Sequence, residues 1–424
     1  MAEAVAFGDL LEGGTRNGIY KSKEFHGRGH KIVNMGELFA HPRLGPVAME
    51  RVELTESERE RFELCPGDLL FARRSLVAEG AGRCSVVMSV DEPTTFESSI
   101  IRARPDPKRA DSLFLYYLFS SARGAHLLDT IRRDAVVAGI TGADLVRLQL
   151  DVPDVSTQRA IAEVLGVLDD KIELNRRMNE TLDELGSTLF RSWFIDSVAT
   201  DAERGSATHR LPTGWTIGTV DDAVSLVIDH RGKTPLKLGG DWSASGVPAI
   251  SAKNVKNGRL ISRDDVRFVD VDLYSRWMRE PLKGGDVLLT SEAPLGELCY
   301  LPTDSHFCLS QRLYALRAAP DRCTPSFLYY WLRSSSAQTE MQARATGTTV
   351  LGIRQSELRK VRVPLPPLST TQRFHEVVHP LLERQHANES ESRILASVRD
   401  VLLPKLLSGE LLTRDAERVV EAVA

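Results

Sequence analysis

A segment of about forty residues constrains the fold of this chain most, because the chain contains it twice. Residues 156–195 contain no proline and carry apolar side chains at spacings of three and four, which is the pattern of one helical face. At ~1.5 Å per residue, a helix of roughly 38 residues is ~57 Å long, against ~11 residues for an average globular helix. The pattern therefore predicts a long helix that packs against another helix.

The second copy lies 213 positions further along the chain. The tetrapeptide Phe-Leu-Tyr-Tyr occurs at 114–117 and again at 327–330, and the same offset carries the apolar seam of the first copy onto the second. A repeat of this length indicates two duplicated domains, because solenoid repeats recur every ~20 to 50 residues. The seam residues are Ile161, Leu165, Leu168, Ile172, Asn175, Leu182 and Leu189 in the first copy, and Phe374, Val378, Leu381, Asn388, Leu395 and Leu402 in the second.

Two asparagines interrupt the apolar seam, and one proline interrupts the helical pattern of the second copy. Asn175 and Asn388 occupy equivalent places, and each is either a solvated side chain beside a wide groove or half of a buried polar pair that fixes the register. Pro380 stands in the second copy where the first has Val167. An interior proline removes a hydrogen bond and can kink a helix, so it puts the straightness of the second helix in doubt.

The repeat predicts an α+β protein in which globular domains alternate with long helices. We expect a first globule at 1–152, a long helix at 153–199, a second globule at 200–365, a second long helix at 366–412 and a C-terminal tail at 413–424. Because the chain leaves the first globule along one helix and returns along the other, the helices should run antiparallel and pack like a coiled coil. A pseudo-two-fold axis would then relate the two similar globules.

Local patterns in the first globule predict short elements joined by loops. Glycines between residues 13 and 29 favour a mostly irregular segment. Strands are predicted at 31–35, 69–73 and 83–89, and a single amphipathic helix at 112–133. The second globule repeats this order, with higher similarity in the helices than in the loops, so a common scaffold carries different loops.

Composition narrows the class of protein. The net charge is −4, but the acidic excess lies largely in the long helices, which leaves locally basic stretches in the globules that can bind phosphate. The five cysteines form no Cys-x-x-Cys motif, so we expect reduced thiols without a zinc site. The sequence shows no signal peptide and no apolar stretch of ~20 residues, and a cytoplasmic protein without a membrane segment is expected.

Four stretches resemble one known family, the DNA-specificity subunits of type I restriction-modification enzymes, and the likeness extends over nearly the full length. Residues 156–194 are similar to the central conserved region of that family. The sequences DHRGKTP at 229–235 and GVPAISAKNV at 246–255 are similar to the opening of many target-recognition domains. VPLPPLSTTQR at 363–373 is similar to the entry into the distal conserved helix.

The resemblance implies a function and a set of partners. Each globule would be a target-recognition domain that reads one half of a bipartite, asymmetric site in double-stranded DNA. The conserved helices would set the spacing and recruit two methyltransferase subunits, and a motor-nuclease subunit would join that complex. The chain itself would have no catalytic residues and bind no cofactor, since S-adenosylmethionine, ATP and Mg²⁺ belong to the partner subunits.

Basic residues in the loops are the candidate DNA contacts, because arginine and lysine neutralise phosphates and donate to base edges. The alternative for each of them, which is favoured for any single residue, is an ordinary solvated surface charge. The candidates are Arg28, Lys31, Arg73, Arg74, Arg231, Lys233, Lys253, Lys256 and Arg259. Trp193 and Phe194, at the end of the first long helix, are candidates for a partner interface, or they pack on their own globule.

Two other functions stay open on the sequence alone. One is a self-contained restriction-methylation enzyme or a fragment of one, and the other is a two-headed scaffold that binds only proteins. The chain lacks the glycine-rich and Asn-Pro-Pro motifs of an adenine methyltransferase and the phosphate-binding loop of an ATPase. No metal-ligand pattern is present either, so no metal site is expected and the non-catalytic prediction is preferred.

Overall fold

The computed structural model describes residues 3–75, 80–133, 138–196, 211–261, 266–347 and 350–423. The chain folds as two units, each of which contains one globular domain and one end of both long helices. The first unit comprises 1–174 and 391–424, and the second comprises 175–390.

Two layers of sheet form the globular part of the first unit. Its strands are β1 (Glu3–Ala6), β2 (Leu11–Asn17), β3 (His26–Val33), β4 (Arg43–Leu44), β5 (Glu50–Val52), β6 (Leu69–Ala72), β7 (Arg74–Ser75), β8 (Cys84–Val87), β9 (Thr94–Phe96), β10 (Ile100–Pro105), β11 (Ala138–Gly139) and β12 (Gln149–Val152). One sheet has the order β2-β10-β6-β8-β4 and another β5-β3-β9, with the pairs β1-β12 and β7-β11 beside them. Successive side chains of β6 point to opposite faces of its sheet. Leu69 and Phe71 therefore lie in one hydrophobic core, and Leu70 and Ala72 lie in another.

Among the described residues, the α-helices of this part of the chain are α1 (Met35–Ala40), α2 (Glu56–Phe62), α3 (Ser112–Ser120), α4 (Ala122–Ile131), α5 (Gly142–Leu145) and the long α6 (Val155–Phe190). The single helix predicted at 112–133 is wrong, since α3 and α4 are separate. Ser121 is extended between them, and its hydroxyl accepts the amide hydrogen of Gly124, which starts a new helix.

The glycine-rich opening is also more regular than predicted. Strands β2 and β3 run through it, and their glycines sit at bends where φ is positive, including Gly27 and Gly29 in an irregular pairing of β3 with β5. The strand predicted at 31–35 starts earlier and stops at Val33, because Asn34 caps α1.

The second unit repeats the same plan. Its strands are β13 (Thr216–Thr219), β14 (Val224–Asp229), β15 (Val247–Ile250), β16 (Val255–Lys256), β17 (Arg259–Leu260), β18 (Arg267–Val269), β19 (Val287–Thr290), β20 (Leu298–Tyr300), β21 (Cys308–Leu309), β22 (Leu313–Ala318) and β23 (Arg362–Leu365). The sheets β14-β22-β19-β20 and β18-β15-β21 match β2-β10-β6-β8 and β5-β3-β9 in order, and the pair β13-β23 matches β1-β12. The predicted α+β duplication is confirmed.

The remaining helices are α7 (Val220–Ala223), α8 (Val271–Trp277), α9 (Pro325–Arg333), α10 (Ser335–Arg344), α11 (Gln355–Leu358), the long α12 (Leu368–Ser408) and α13 (Thr413–Glu421). Helix α12 continues through Pro380, so the proline does not end it. Val378 and Leu382 on either side of the proline are buried in the core of the second unit, which offsets the lost hydrogen bond.

Within each unit the ends of α6 and α12 run antiparallel, as predicted. In the first unit Asp169 faces Arg399 and Lys171 faces Glu391, so the residue numbers run in opposite directions. The seam there is apolar, and Ile161, Leu165, Leu168, Leu395 and Leu402 all lie in one core. The corresponding core in the second unit contains Phe374 and Val378, with Leu189 partly buried against it.

The C-terminal residues form helix α13 where the sequence predicted only a tail. Ala416 and Val420 are buried in the core of the first unit, whereas the neighbouring Val419 is 42% exposed. The helix therefore belongs to the packed structure.

These two adjacent valines provide a matched test of the packing of α13. Val420→Ala removes two buried methyl groups and should lower the free energy of unfolding of the first unit by about 1–3 kcal/mol. Val419→Ala should change it by less than about 0.5 kcal/mol. Chemical denaturation of the purified full chain measures both, and equal effects of the two substitutions would contradict the packing of α13.

Candidate nucleic-acid interface

The loop after β14 holds two of the predicted DNA-binding residues in contacts of its own domain. The Arg231 guanidinium donates two hydrogen bonds of 2.9 Å to the carboxylate of Asp229 and lies 4.2 Å from the ring centre of Tyr314. The Lys233 ammonium donates to the carbonyl oxygen of Trp277 at 3.0 Å, and burial lowers its pKa. These contacts fix the shape of the loop, and DNA binding by either side chain stays a prediction.

Three more candidates lie on the hairpin of β16 and β17 or just before it. Lys253 and Lys256 are exposed. Arg259 has its Nε 3.7 Å from Oε1 of Glu389 on α12, and burial raises the pKa of Glu389 to about 7 although Arg259 opposes the shift. The positive φ of Gly258 turns the hairpin, and a Cβ there would lie 2.9 Å from the Tyr329 hydroxyl. The hairpin is thus braced against the helices, with two lysines left toward solvent.

In the first unit the four candidates divide in the same way. Lys31 is 11% exposed and binds Asp91 at 2.9 Å, a hydrogen bond that raises its pKa. Arg73 is half-buried and donates to the carbonyl oxygen of Ser98. Arg28 is 71% exposed although it pairs with Glu53, and Arg74 is exposed on β7. The accessible candidates are therefore Arg28 and Arg74.

A buried polar contact that the sequence did not predict joins the globular domain of the first unit to its helices. Asp169 on α6 is 6% exposed and accepts hydrogen bonds from the Tyr117 hydroxyl and from Arg399, each at 2.7 Å. Arg43 reaches the adjacent Asp170 at 2.6 Å. Helix α3, the sheet and both long helices are thereby tied at one place. The sequence did contain a signal for this contact, because Asp169 is an acidic residue beside the apolar seam of the helix.

The second unit makes this connection differently. Arg333 on α9 donates to both carboxylate oxygens of Asp183 at 2.5 and 2.8 Å and lies over the rings of Tyr329 and Tyr330. The Tyr330 ring comes so close to α6 that only glycine fits opposite it, because a Cβ on Gly186 would lie 2.0 Å from the hydroxyl. This joint depends on close packing and one bidentate ion pair.

The aromatic pair predicted as a partner interface lies largely inside the second unit. Phe194 is 1% exposed, with its ring centre 4.9 Å from that of Phe327 and 5.0 Å from that of Phe374. Of the two alternatives, Phe194 follows the second and packs on its own unit, because α9 and α12 supply an aromatic pocket. Trp193 is partly buried against Phe374, and a partner contact by Trp193 stays a prediction.

The seam asparagines are buried, as the second interpretation requires. Asn388 donates its side-chain amide to Oδ1 of Asn179 at 2.8 Å, and Asn175 donates to the backbone carbonyl of Asn388 at 3.4 Å. Asn179, which was not among the predicted seam residues, also makes two hydrogen bonds of 3.1 Å with Gln385: the side-chain amide of each donates to the backbone carbonyl of the other. That these amides fix the register of the helices stays a prediction.

Two other observations concern the described residues alone. Among them no group of three or more histidine, cysteine, aspartate or glutamate side chains could hold a metal ion. No helix in the same part of the chain is long and apolar enough to cross a membrane.

A duplicated α+β domain, each copy resting on one end of an antiparallel helix pair and presenting its own loops, defines a two-domain recognition protein. The family model described as the type I restriction modification DNA specificity domain matches residues 3–184 and again 212–396. The chain belongs to this family.

Relatives and solved structures agree with that assignment. The chain is similar to the MjaIX specificity subunit of Methanocaldococcus jannaschii, 26% identical over 71% of this chain and 69% of that one. It is 23% identical to the HindI specificity subunit of Haemophilus influenzae, over 81% and 86% of the two chains. The fold is similar to the crystal structure of a type I S subunit from M. genitalium, with a TM-score of 0.59 at 15% identity over 95% of both chains.

The close contact of Gly186 with Tyr330 can be tested with two substitutions, of which the second should partly reverse the effect of the first. In the described part of the chain the Tyr330 hydroxyl is buried without a hydrogen-bond partner. Gly186→Ala gains up to ~1 kcal/mol of helix propensity, but the clash with a ring fixed by Phe190 and Phe374 should outweigh it and destabilise the second unit by about 1–3 kcal/mol.

Adding Tyr330→Phe to Gly186→Ala should recover part of that loss, because the closest atom is removed while the ring carbon at 2.8 Å remains. Thermal melting of both single variants and of the double variant measures the coupling between the two positions. Additive effects would show that the close approach does not exist.

Proposed function

We propose that the chain is the DNA-recognition subunit of a type I restriction-modification complex, in which each globular domain reads one half of a bipartite target. The observation that carries this proposal is the repeated sheet order combined with unlike loops. Topologically equivalent domains can bind the same kind of polymer, and different loops let each domain select its own sequence. Membership of the DNA specificity family supports the same function.

The accessible basic side chains supply contacts to the phosphate backbone. Lys253 and Lys256 lie on or beside the β16–β17 hairpin, and Arg28 and Arg74 are the exposed candidates of the first unit. Lysine and arginine at such positions release counterions from DNA, so binding should weaken as salt concentration rises. The ion pairs of Arg231, Lys31 and Arg259 hold the loops in place, whether or not these side chains also bind DNA.

Partners and chemistry follow from the same proposal. The long helices carry two methyltransferase subunits, and a motor-nuclease subunit completes the complex. The partner subunits bind S-adenosylmethionine, ATP and Mg²⁺, while this chain is non-catalytic and selects the site. The complex acts in the cytoplasm on host and foreign DNA.

Exchange of one domain tests the proposal. The paired strands β13 and β23 bring the ends of the second domain together, so residues 213–365 form a natural cassette. A domain from a related subunit that keeps the equivalents of Tyr330 and Arg333 preserves the joint with α6. If each domain recognises its half-site independently of the other, one half of the target should change while the other half and the spacer stay the same. Methylome sequencing measures this.

The matched control replaces residues 3–152, which carry the paired strands β1 and β12 at their ends. That exchange should change the opposite half of the target. A single exchange that altered both halves would refute independent reading by the domains, and unchanged methylation in cells lacking the gene would refute the function itself.

A further inference from the structure

Two apolar side chains stand out in solvent at corresponding places of the two units. Among the large apolar residues of the described chain, Leu236 and Tyr20 are the most exposed, at 86% and 80%. Tyr20 lies between β2 and β3, and Leu236 lies between β14 and β15. Because β2 and β3 match β14 and β15 in the repeated topology, both residues belong to the same connection of the scaffold.

The connection in the first unit is rigid on both sides of Tyr20. The amide of Gly18 donates to Ile100 and that of Ile19 to Phe96, at 2.9 and 3.0 Å, and the Ile19 side chain is buried. On the other side the Lys21 ammonium binds Glu58 at 2.7 Å. Tyr20 is therefore held outward between two anchored neighbours.

The connection in the second unit is equally fixed around Leu236. Pro235 is buried, and its carbonyl oxygen accepts the amides of Leu238 and Gly240 at 2.9 and 3.0 Å. Arg276 then donates to the carbonyl oxygen of Leu238 at 2.7 Å. The leucine begins a single 3-10 turn, and these bonds fix the backbone that carries it.

A single exposed apolar residue is ordinary on a protein surface. A highly exposed apolar residue in the same connection of both copies of a duplicated domain calls for an explanation. Neither side chain contributes to folding, since each is left in water. A rigid loop loses little conformational entropy on binding, so these positions are preorganised for a ligand. Exposed Lys23 begins a short 3-10 turn three residues after Tyr20. Exposed Lys237, whose ammonium donates to the carbonyl oxygen of Gly232 at 2.8 Å, directly follows Leu236, and the two lysines suit a polymer that combines phosphate charge with apolar surface.

Duplex DNA presents that combination to a protein loop. The thymine methyl group accepts apolar contacts in the major groove, and apolar side chains can also enter between base pairs. We propose that Tyr20 and Leu236 are the apolar base-contacting residues of the first and second recognition domains. This inference rests on the proposed function and adds the residues through which each domain touches bases.

Alanine substitutions in the assembled methyltransferase test the inference. Tyr20→Ala and Leu236→Ala would each be assembled with the methyltransferase subunits and titrated with the target duplex, once that target is known from methylome sequencing. Each substitution should weaken target binding at least about tenfold and leave binding to a scrambled duplex within about twofold. Thermal stability should not change, because both side chains are exposed.

Two exposed apolar residues elsewhere in the same units serve as matched controls. Met88→Ala and Ile217→Ala remove side chains that are 38% and 57% exposed, and both should bind the target as the unsubstituted chain does. A second measurement uses duplexes with one base pair replaced at a time. Tyr20→Ala should lose discrimination within one half-site only, and Leu236→Ala within the other.

The outcomes separate the two levels of the proposal. If the unsubstituted complex does not distinguish its target from the scrambled duplex, the proposed function fails and the inference with it. If it does distinguish them, and both variants keep full affinity and discrimination, the inference alone is overturned. Equal weakening for target and scrambled duplexes would also overturn it, because that result indicates a contact with the backbone only.

Discussion

The antiparallel packing of α6 against α12 is the constraint on which the rest of the structure depends. In each unit the globular domain completes its core with side chains from these helices: Leu165 and Leu395 in the first, Phe190 and Phe374 in the second. Burial of such side chains stabilises by about 1.5–3 kcal/mol each, so neither domain would keep its core without its helix ends.

The two units attach the globular domain to the long helices through different contacts. In the first unit a buried carboxylate, Asp169, is satisfied by Tyr117 and Arg399, and loss of one partner would leave a charge or a hydroxyl unpaired. In the second unit the corresponding tyrosine, Tyr330, packs against Gly186, and the ion pair is formed by Arg333 and Asp183. Both arrangements fix the orientation of a helix of the globular domain, which suits proteins that must hold loops rigidly toward a polymer.

Much of the fold could be predicted from sequence because long periodic patterns and an internal repeat are strong signals. The duplication, the antiparallel helices and the burial of Leu165 and Leu395 followed from spacing alone. Turn chemistry was harder, as the break at Ser121 shows. The candidate site was predicted least well, because sequence does not reveal that a loop arginine such as Arg231 is engaged by Asp229 and Tyr314. Nor does it reveal that a tyrosine such as Tyr20 is left in solvent.

The central claim is that the helix pair sets the distance between the two half-sites, and lengthening both helices tests it most directly. One heptad inserted between residues 174 and 175 and another between 390 and 391 would preserve all packing within each unit, because both insertions fall at the boundary of the units. Each helix grows by ~10 Å, or up to about three base pairs at ~3.4 Å. Methylome sequencing should show unchanged half-sites separated by a longer spacer, whereas methylation at the original spacing would contradict the account.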